Sequence, residues 1–443
     1  MSNGETFRSV KGTFDILPDA SSSDGSIVAG SAAWRRVEDT VREVAARYGV
    51  REIRTPILES ASLIARGVGE STDIVSKEMF AFERGDTQYV LRPEVTAPVI
   101  RAYLQHHLDQ QRSVQKLYYV GPCFRAERPQ KGRYRQFHQF GVEYIGSASV
   151  LCDVEVIALM LDIYAGLGIS DCRVRVNTLG DASARPVFRD ALKEYFAPFA
   201  ERLSETSRQR LVTNPLRILD TKNPDERELL DDAPRLIDYV SDSSRERFDR
   251  LQEMLDALGV ETVVDPFLVR GLDYYTETAF EVETDLLGGS QNALAGGGRY
   301  DLLAEELGSK NPVPAVGFAA GIERLFLALQ AAGADFPTDP APDLYVVVVG
   351  SAAGRWAVVA VRELRATGVA VEVDVSERSV KARMREANRV GSRYVLVVGD
   401  NELAETRARV RDMSVSTEHM IDLSTASIRE FLTRAASKAT VQS

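Results

Sequence analysis

The sequence predicts mixed helix and sheet, with a large N-terminal part and a smaller C-terminal α/β domain. Three observations carry that expectation. Residues 116–146, KLYYVGPCFRAERPQKGRYRQFHQFGVEYIG, read as two strands joined by a basic loop. Strand-favouring β-branched and aromatic residues fill both ends, and Pro129 and Gly132 mark the connection. Residues 331–343, AAGADFPTDPAPD, hold three prolines and no periodicity, the composition of an interdomain linker. Beyond them, LYVVVV, VAVEVDV and residues 393–398 are apolar strands separated by helical stretches at about 354–367 and 380–390. This βαβαβ rhythm implies a parallel or mixed sheet covered by helices.

The 443-residue length leaves room for two or three domains with sizeable cores. A hydrophobic content of 44% and a charged content of 27% are those of a globular protein. No apolar run approaches the ~20 residues that span a bilayer, and MSNGETFRSVKG lacks the apolar core of a secretory signal. Cys123, Cys152 and Cys172 lie too far apart for a disulfide framework or a metal box. A cytoplasmic location is therefore expected, with no membrane partner. The net charge of −11 argues against nucleic-acid binding by the surface as a whole. From Asp343 onward, however, 15 Lys+Arg face 13 Asp+Glu, a net of +2 that leaves −13 on the rest. Any polyanion must be gripped by local basic patches.

The elements follow in order. Residues 21–31, SSSDGSIVAGS, have the composition of a flexible loop or tether. A helix over 33–48 places Trp34, Val37, Val41, Val44 and Ala45 at helical spacing, with Gly49 as its stop. REIRTPILE, 51–59, reads as a strand that ends in a carboxylate. In QYVLRPEVTAPVIR, 88–101, a strand runs into Arg92-Pro93-Glu94 and then a helix bearing Thr96. Pro93 forces an extended residue before it. Glu94 and Thr96 thus fall at a strand-to-helix junction, either as ligand groups or with Glu94 merely facing the helix dipole. After the hairpin come a helix at 153–167 and a strand at 173–177. Residues 181–258 are charged and helical in period, an inserted helical segment. FLVRGLDYYT (267–276), a strand at 279–283 and GGGRYD (296–301) follow. AVGFAAGIERLFLAL (315–329) then passes from small residues into an amphipathic helix carrying Glu323 and Arg324.

Strand alternation sorts the hairpin's side chains. Gln139 and Glu143 share one face, while Phe140, Val142 and Tyr144 take the other; His138 falls opposite Gln139 and reads as packing. The loop bears Arg128, Lys131, Arg133 and Arg135. A polar row beside a basic loop suits a small zwitterion and phosphates, but a solvated hairpin would show the same spacing. In the C-terminal part, Arg378, Lys381, Arg383, Arg385, Arg389 and Arg393 outnumber Glu377 and Glu386. They form either a phosphate-engaging patch or an ordinary solvated helix face.

Three absences narrow the chemistry. There is no GxxxxGK[ST] phosphate loop and no GxGxxG between a strand and a helix. His106, His107, His138 and His419 form no metal pattern, so no protein-only metal site is expected. If a nucleotide binds, arginines on a sheet surface must hold it. FRAERPQKGRYRQFHQFGVEYIG, LVRGLDYYT, AGGGRYD and GFAAGIERL together resemble the motifs of histidyl-tRNA synthetases, class II enzymes. KGTFDILP and ARYGVREIRTPILE fit the same family's N-terminal region and first class motif. The resemblance runs from about Val10 into the C-terminal domain. Two departures stand out: the small-residue segment at 20–31 is longer than usual, and AGGGRYDLL replaces AGGRYDGL, which leaves two alignments of the glycines, one position apart.

The resemblance implies an α+β catalytic domain on an antiparallel sheet (1–332, with the helical insertion at about 181–258). It also implies a linker at 333–342 and an α/β anticodon-binding domain at 343–443. The implied reaction joins L-histidine to tRNA(His) through histidyl-adenylate, with ATP and Mg2+ as the nucleotide substrate, in a homodimer. By the same resemblance Arg125 and Arg270 act on the α-phosphate, and Arg133 and Arg324 hold the outer phosphates. Glu94, Thr96 and Gln139 receive the α-ammonium group, and Glu143 and Tyr275 bracket the imidazole beside Tyr274 and Arg270. Gln130 meets the tRNA acceptor end, and glycines 296–298 let the backbone approach the substrate. Arginine suits two anions brought together, being always charged and geometrically fixed. The competing expectations are a regulatory subunit of ATP phosphoribosyltransferase on the same scaffold, and a tRNA-sensing module. The first typically lacks the C-terminal domain and loses residues of LVRGLDYY; the second usually sits within a much longer chain.

Overall fold

The computed structural model describes residues 7–18, 29–70, 72–130, 132–221, 223–288 and 292–440. Lys131 and most of the tether expected at 21–31 lie outside the described residues. The chain divides into two compact units, Met1–Thr338 and Asp339–Ser443.

The first unit begins with helix α1 (Ser31–Arg47), whose Trp34, Val37, Val41, Val44 and Ala45 are all buried. REIRTPILE does not form one strand. Strand β1 (Arg51–Glu52) adds in parallel to β5 (Gln115–Phe124). Strand β2 (Leu58–Ser60) instead joins β4 (Thr87–Leu91) and β3 (Phe80–Arg84) in a separate three-stranded sheet. The break falls at Thr55-Pro56, where buried Arg92 reaches in and its Nη1 donates to Thr55 O at 2.9 Å and Pro56 O at 3.5 Å. A guanidinium takes carbonyls that a continuous strand would have used, and Pro56 has no N–H to continue the ladder.

The expected hairpin is β5 with β6 (Gln136–Ile145), paired antiparallel over ten residues each. It sits in an eight-stranded sheet with β7 (Arg173–Thr178), β8 (Thr262–Val264), β9 (Thr276–Glu283), β10 (Ala293–Arg299) and β11 (Ala315–Gly321). The order is β1-β5-β6-β11-β10-β9-β7-β8, parallel only in its two outermost pairs. AVGFAAG, read as small residues leading into a helix, is the central strand β11 between β6 and β10. Phe140, Val142 and Tyr144 point into a core made with α1, α4 (Val150–Gly166), α8 (Asp242–Ala257) and α10 (Ile322–Ala331). The opposite face packs Leu117, Tyr119 and Cys123 against α3 (Thr96–Gln105) and the stretch that includes α5 (Ala184–Phe196). Inserted residues Phe188, Leu192, Phe196 and Leu229 belong to this second core, so the insertion is fused to the site-bearing face. Phe336, in the expected linker, meets Phe326 of α10 at 5.7 Å.

The second unit is a mixed sheet ordered β13 (Val371–Val373), β12 (Leu344–Val348), β14 (Tyr394–Val398), β15 (Arg407–Asp412), β16 (Thr417–Asp422). The first three run parallel and the last two antiparallel. Helices α11 (Ser351–Ala366) and α12 (Val380–Arg389) make the two crossovers. Most of the basic cluster around α12 is already engaged. Arg383 donates to Val348 O at 2.6 Å and Arg378 O at 2.7 Å. Arg378 and Arg389 share Glu386, and Arg393 pairs with Asp412 at 3.3 Å. Lys381 and Arg385 are exposed.

Candidate active site

A cavity of about 420 Å³ opens on the polar face of the central sheet. Its lining includes Glu94, Thr96, Arg125, Arg133, Gln139, Arg270, Tyr274, Tyr275 and Arg324, drawn from four separate stretches of chain. Two expected residues stand elsewhere. Gln130 is at the hairpin tip, where its N–H donates to Arg133 O and its carbonyl accepts from Arg133 N. Glu143 is fully buried behind Thr96, whose Oγ1 donates to Glu143 Oε1 at 2.7 Å. Tyr300 OH donates to its other oxygen.

Glu94 fulfils the helix-dipole reading as well as lining the cavity. Its two oxygens accept from Thr96 N at 2.8 Å and Ala97 N at 2.9 Å, closing the start of α3. Burial pushes its carboxyl up despite those donors. Burial also raises Glu143, to about 8, against the opposing pull of Tyr300 and Thr96. Burial thus biases Glu143 toward its protonated form.

The arginines divide by their partners. Arg125 Nε donates to Pro93 O at 3.0 Å, and its guanidinium lies 5.2 Å from the Phe137 ring. Arg270 pairs with Glu281 at 2.8 Å and lies 5.9 Å from the Tyr275 ring. Arg133 pairs with Glu127 at 3.1 Å. Arg324 donates to Ala293 O at 2.9 Å; burial first, and then repulsion from Arg133, lowers its hold on the proton. A desolvated cation crowded by another cation gains from an incoming phosphate.

Two strand glycines make room for side chains of the site, and Gly296 also lines the cavity. A Cβ on Gly296 would lie 1.9 Å from Arg270 Nη2, and one on Gly317 would lie 1.8 Å from Glu143 Oε2. Bare strand at those two positions is what lets the guanidinium and the carboxylate lie flat across the sheet. Gly297 and Gly298 instead face neighbouring backbone and the Phe280 and Tyr275 rings.

Sequence reasoning passed over several groups at this site. Glu323 accepts from His138 N at 2.8 Å and from or to His138 Nδ1 at 2.9 Å, tying β6 to α10 beside Gln139 and Arg324. His138 in turn meets the Trp34 ring edge-on at 4.9 Å, a packing role. Tyr300 follows Arg299, which is fully buried and bound to Asp153 and Asp301. Arg217 reaches the cavity from the inserted segment. Tyr300 and Glu323 sat in stretches that the motifs had marked, AGGGRYD and GFAAGIERL, whereas Arg217 did not.

An antiparallel sheet with an arginine-lined cavity on one face, in a chain with no phosphate loop, is the architecture of a class II aminoacyl-tRNA synthetase. Comparison with known proteins narrows the class. Residues 29–325 match the family model for histidyl-tRNA synthetase, and residues 343–434 match an anticodon binding domain. The chain is 47% identical to a histidine–tRNA ligase of Chloroherpeton thalassium, over 95% of this chain and 96% of that one. It is 46% identical to a histidine–tRNA ligase of Halothermothrix orenii, over 91% and 94%. The crystal structure of apo histidyl-tRNA synthetase from S. aureus superposes with a TM-score of 0.76 at 36% identity, covering 94% of this chain and 98% of that one. The chain belongs to the histidyl-tRNA synthetase family. An ATP phosphoribosyltransferase regulatory subunit/histidyl-tRNA synthetase from Bacillus halodurans shares the fold at 24% identity and a TM-score of 0.62.

Proposed function

We propose that the chain activates L-histidine with ATP and transfers the histidyl group to tRNA(His). The observation that carries this is one cavity in which Gln139, Thr96 and Tyr275 stand beside Arg125 and Arg270. In the first step the histidine carboxylate attacks the α-phosphorus, the phosphorane forms, and pyrophosphate leaves. In the second, a ribose hydroxyl of the terminal adenosine attacks the adenylate carbonyl and AMP leaves.

Arg125 and Arg270 hold the α-phosphate and the carboxylate in line, and their fixed charge stabilises the phosphorane. Arg133 and Arg324 hold the outer phosphates. Glu94, Thr96 and Gln139 accept the α-ammonium group beside Tyr274. Tyr275 takes one imidazole nitrogen. Glu143 takes the other by exchanging its bond with Thr96 or Tyr300. A substrate without ring nitrogens would leave both groups unpaired, which is the strong form of discrimination. Gln130, at the exposed hairpin tip, meets the acceptor end.

Magnesium enters with the nucleotide. Among the described residues no three His, Cys, Asp or Glu side chains converge to hold an ion. The cavity carboxylates Glu127 and Glu281 are each paired with an arginine. Among the described residues no helix is long and apolar enough to cross a membrane; action in the cytoplasm, as a homodimer joined partly through the segment around β1, completes the proposal. The division into a catalytic domain over 1–332, a linker and an anticodon-binding domain from 343 belongs to it too. Histidine-dependent exchange of pyrophosphate into ATP, followed by charging of tRNA(His), tests it. Exchange at background with pure protein would refute the proposal.

A further inference from the structure

The residue least explained by its local sequence is Arg217. It lies in a short 3-10 turn, Pro215–Ile218, inside the charged stretch that carries no motif. Pro215 opens that turn, and Asn214 before it is extended (φ −153°, ψ 84°), so the two residues present their side chains toward the same loop. That loop is LVRGLDYY. Arg217 Nη2 donates to Gly271 O, and Asn214 Nδ2 donates to Asp273 Oδ1 at 3.0 Å. The two contacts straddle the three residues that follow Arg270.

Arg217 is also held on its other side. Its Nη1 lies 3.7 Å from Asp73 Oδ2, and Arg210, whose Nη1 donates to Arg217 O at 3.3 Å, lies at the same 3.7 Å from that carboxylate. Its side chain is 15% exposed. Arg217 and Arg270 both line the substrate cavity and a smaller neighbouring cavity of about 260 Å³. Arg270 itself has one strong partner, Glu281, and no regular secondary structure beneath it. A guanidinium on an irregular loop keeps its position only if the loop is fixed by something else.

We propose that Asn214 and Arg217 are positioning residues for amino-acid activation: the inserted segment clamps residues 271–273 and so holds Arg270 against the reacting phosphate. The proposal rests on the role given above to Arg270. Its physical basis is that a displacement of the order of 1 Å at a reacting centre costs about 10²-fold in rate, whereas a surface ion pair to Asp73 alone would matter little.

Full-length protein decides the matter through pyrophosphate exchange. Arg217→Ala is expected to lower kcat about 10²-fold while leaving KM for histidine within about threefold. Arg217→Lys, which keeps one donor and the charge facing Asp73, should recover much of that loss. The double variant Arg217→Ala/Arg270→Ala should be no slower than Arg270→Ala alone, because a clamp has no effect once its cargo is gone. Exchange by Arg217→Ala within about twofold of the parent, or losses that multiply in the double variant, would overturn the proposal. Should Arg217→Ala fail to fold, Asn214→Ala removes a single contact; it should slow exchange several-fold and non-additively with Arg270→Ala, and additivity there is equally fatal. Absence of exchange in the parent protein would instead count against the histidine-activation reading itself.

Discussion

Several buried carboxylates of the catalytic unit are shifted opposite to those of the C-terminal unit, while Asp181 and Glu226 of the inserted segment are lowered by their hydrogen bonds. In the catalytic unit, burial raises Glu78, Glu94, Glu143 and Glu277 above the ordinary carboxylate range. In the C-terminal unit, Asp374, Asp412 and Glu386 are lowered. Burial pushes Asp374 up, but Ser376 Oγ at 2.6 Å, Ser376 N at 2.7 Å and Tyr345 OH at 2.8 Å more than offset it. The contrast marks two ways of meeting a ligand. The catalytic unit keeps its polar groups desolvated, where a charge on a small substrate is felt strongly. The C-terminal unit satisfies its own polar groups and leaves Lys381 and Arg385 on the surface, exposed to any polyanion.

The sharpest way to break this contrast is Arg270→Ala. Loss of a preorganised cation from the catalytic cavity should lower pyrophosphate exchange by about 10²–10³-fold or more, with histidine binding, read by calorimetry, largely intact. Near-normal turnover would remove Arg270 from the mechanism. Next is Glu143→Gln, which preserves shape but changes what the site offers the imidazole. It should reduce kcat/KM for histidine about 10²-fold, and an unchanged value would mean that Glu143 serves only Thr96 and Tyr300. A smaller effect is expected from the C-terminal unit. Lys381→Glu with Arg385→Glu should raise KM for tRNA about tenfold at low salt, flatten the salt dependence by one to two phosphates' worth, and leave exchange untouched. A loss of exchange in that variant would erase the distinction between the units.

Sequence reached different parts of this architecture to different depths. Helix α1 and the β5–β6 hairpin were legible because each is specified by its own periodicity, and the polar row of Gln139 and Glu143 followed from alternation. REIRTPILE misled because the residue that splits it, Arg92, lies more than thirty positions on. The strand β11 was hidden by its small residues. Its Gly317 is small because Glu143 lies across it, a reason that exists only once the sheet is assembled. Arg217 offered no signal at all, since its contact with Gly271 spans 54 positions. Among the cations of α12, spacing could count the charges but could not show that Arg383 is committed to backbone carbonyls.

The smallest expected effect tests the opposed carboxylates directly. Glu143 titrates near 8 in the folded protein against an ordinary value of 4.5, so between those values the native state binds more protons than the unfolded one. Its contribution to stability is therefore greatest below about 4.5 and is lost as pH rises through 8; Glu94 acts in the same sense. Asp374 and Asp412 are lowered, so their contribution is present above the ordinary value of 3.8 and is lost only as pH falls below it. The chain has two tryptophans, buried Trp34 in the catalytic unit and Trp356 on α11 in the other. In Trp356→Phe protein the Trp34 signal should melt progressively earlier from pH 5 to pH 8.5, by roughly 2–4 °C for each kcal/mol lost. In Trp34→Phe protein the Trp356 signal should hold across that range and fall only in acid. Adding Glu143→Gln should flatten the Trp34 profile between pH 5 and 8.5 without moving the acid limb of Trp356. If the Trp34 midpoint with Glu143→Gln tracks that of the parent at every pH, the buried carboxyl behind that slope is not Glu143.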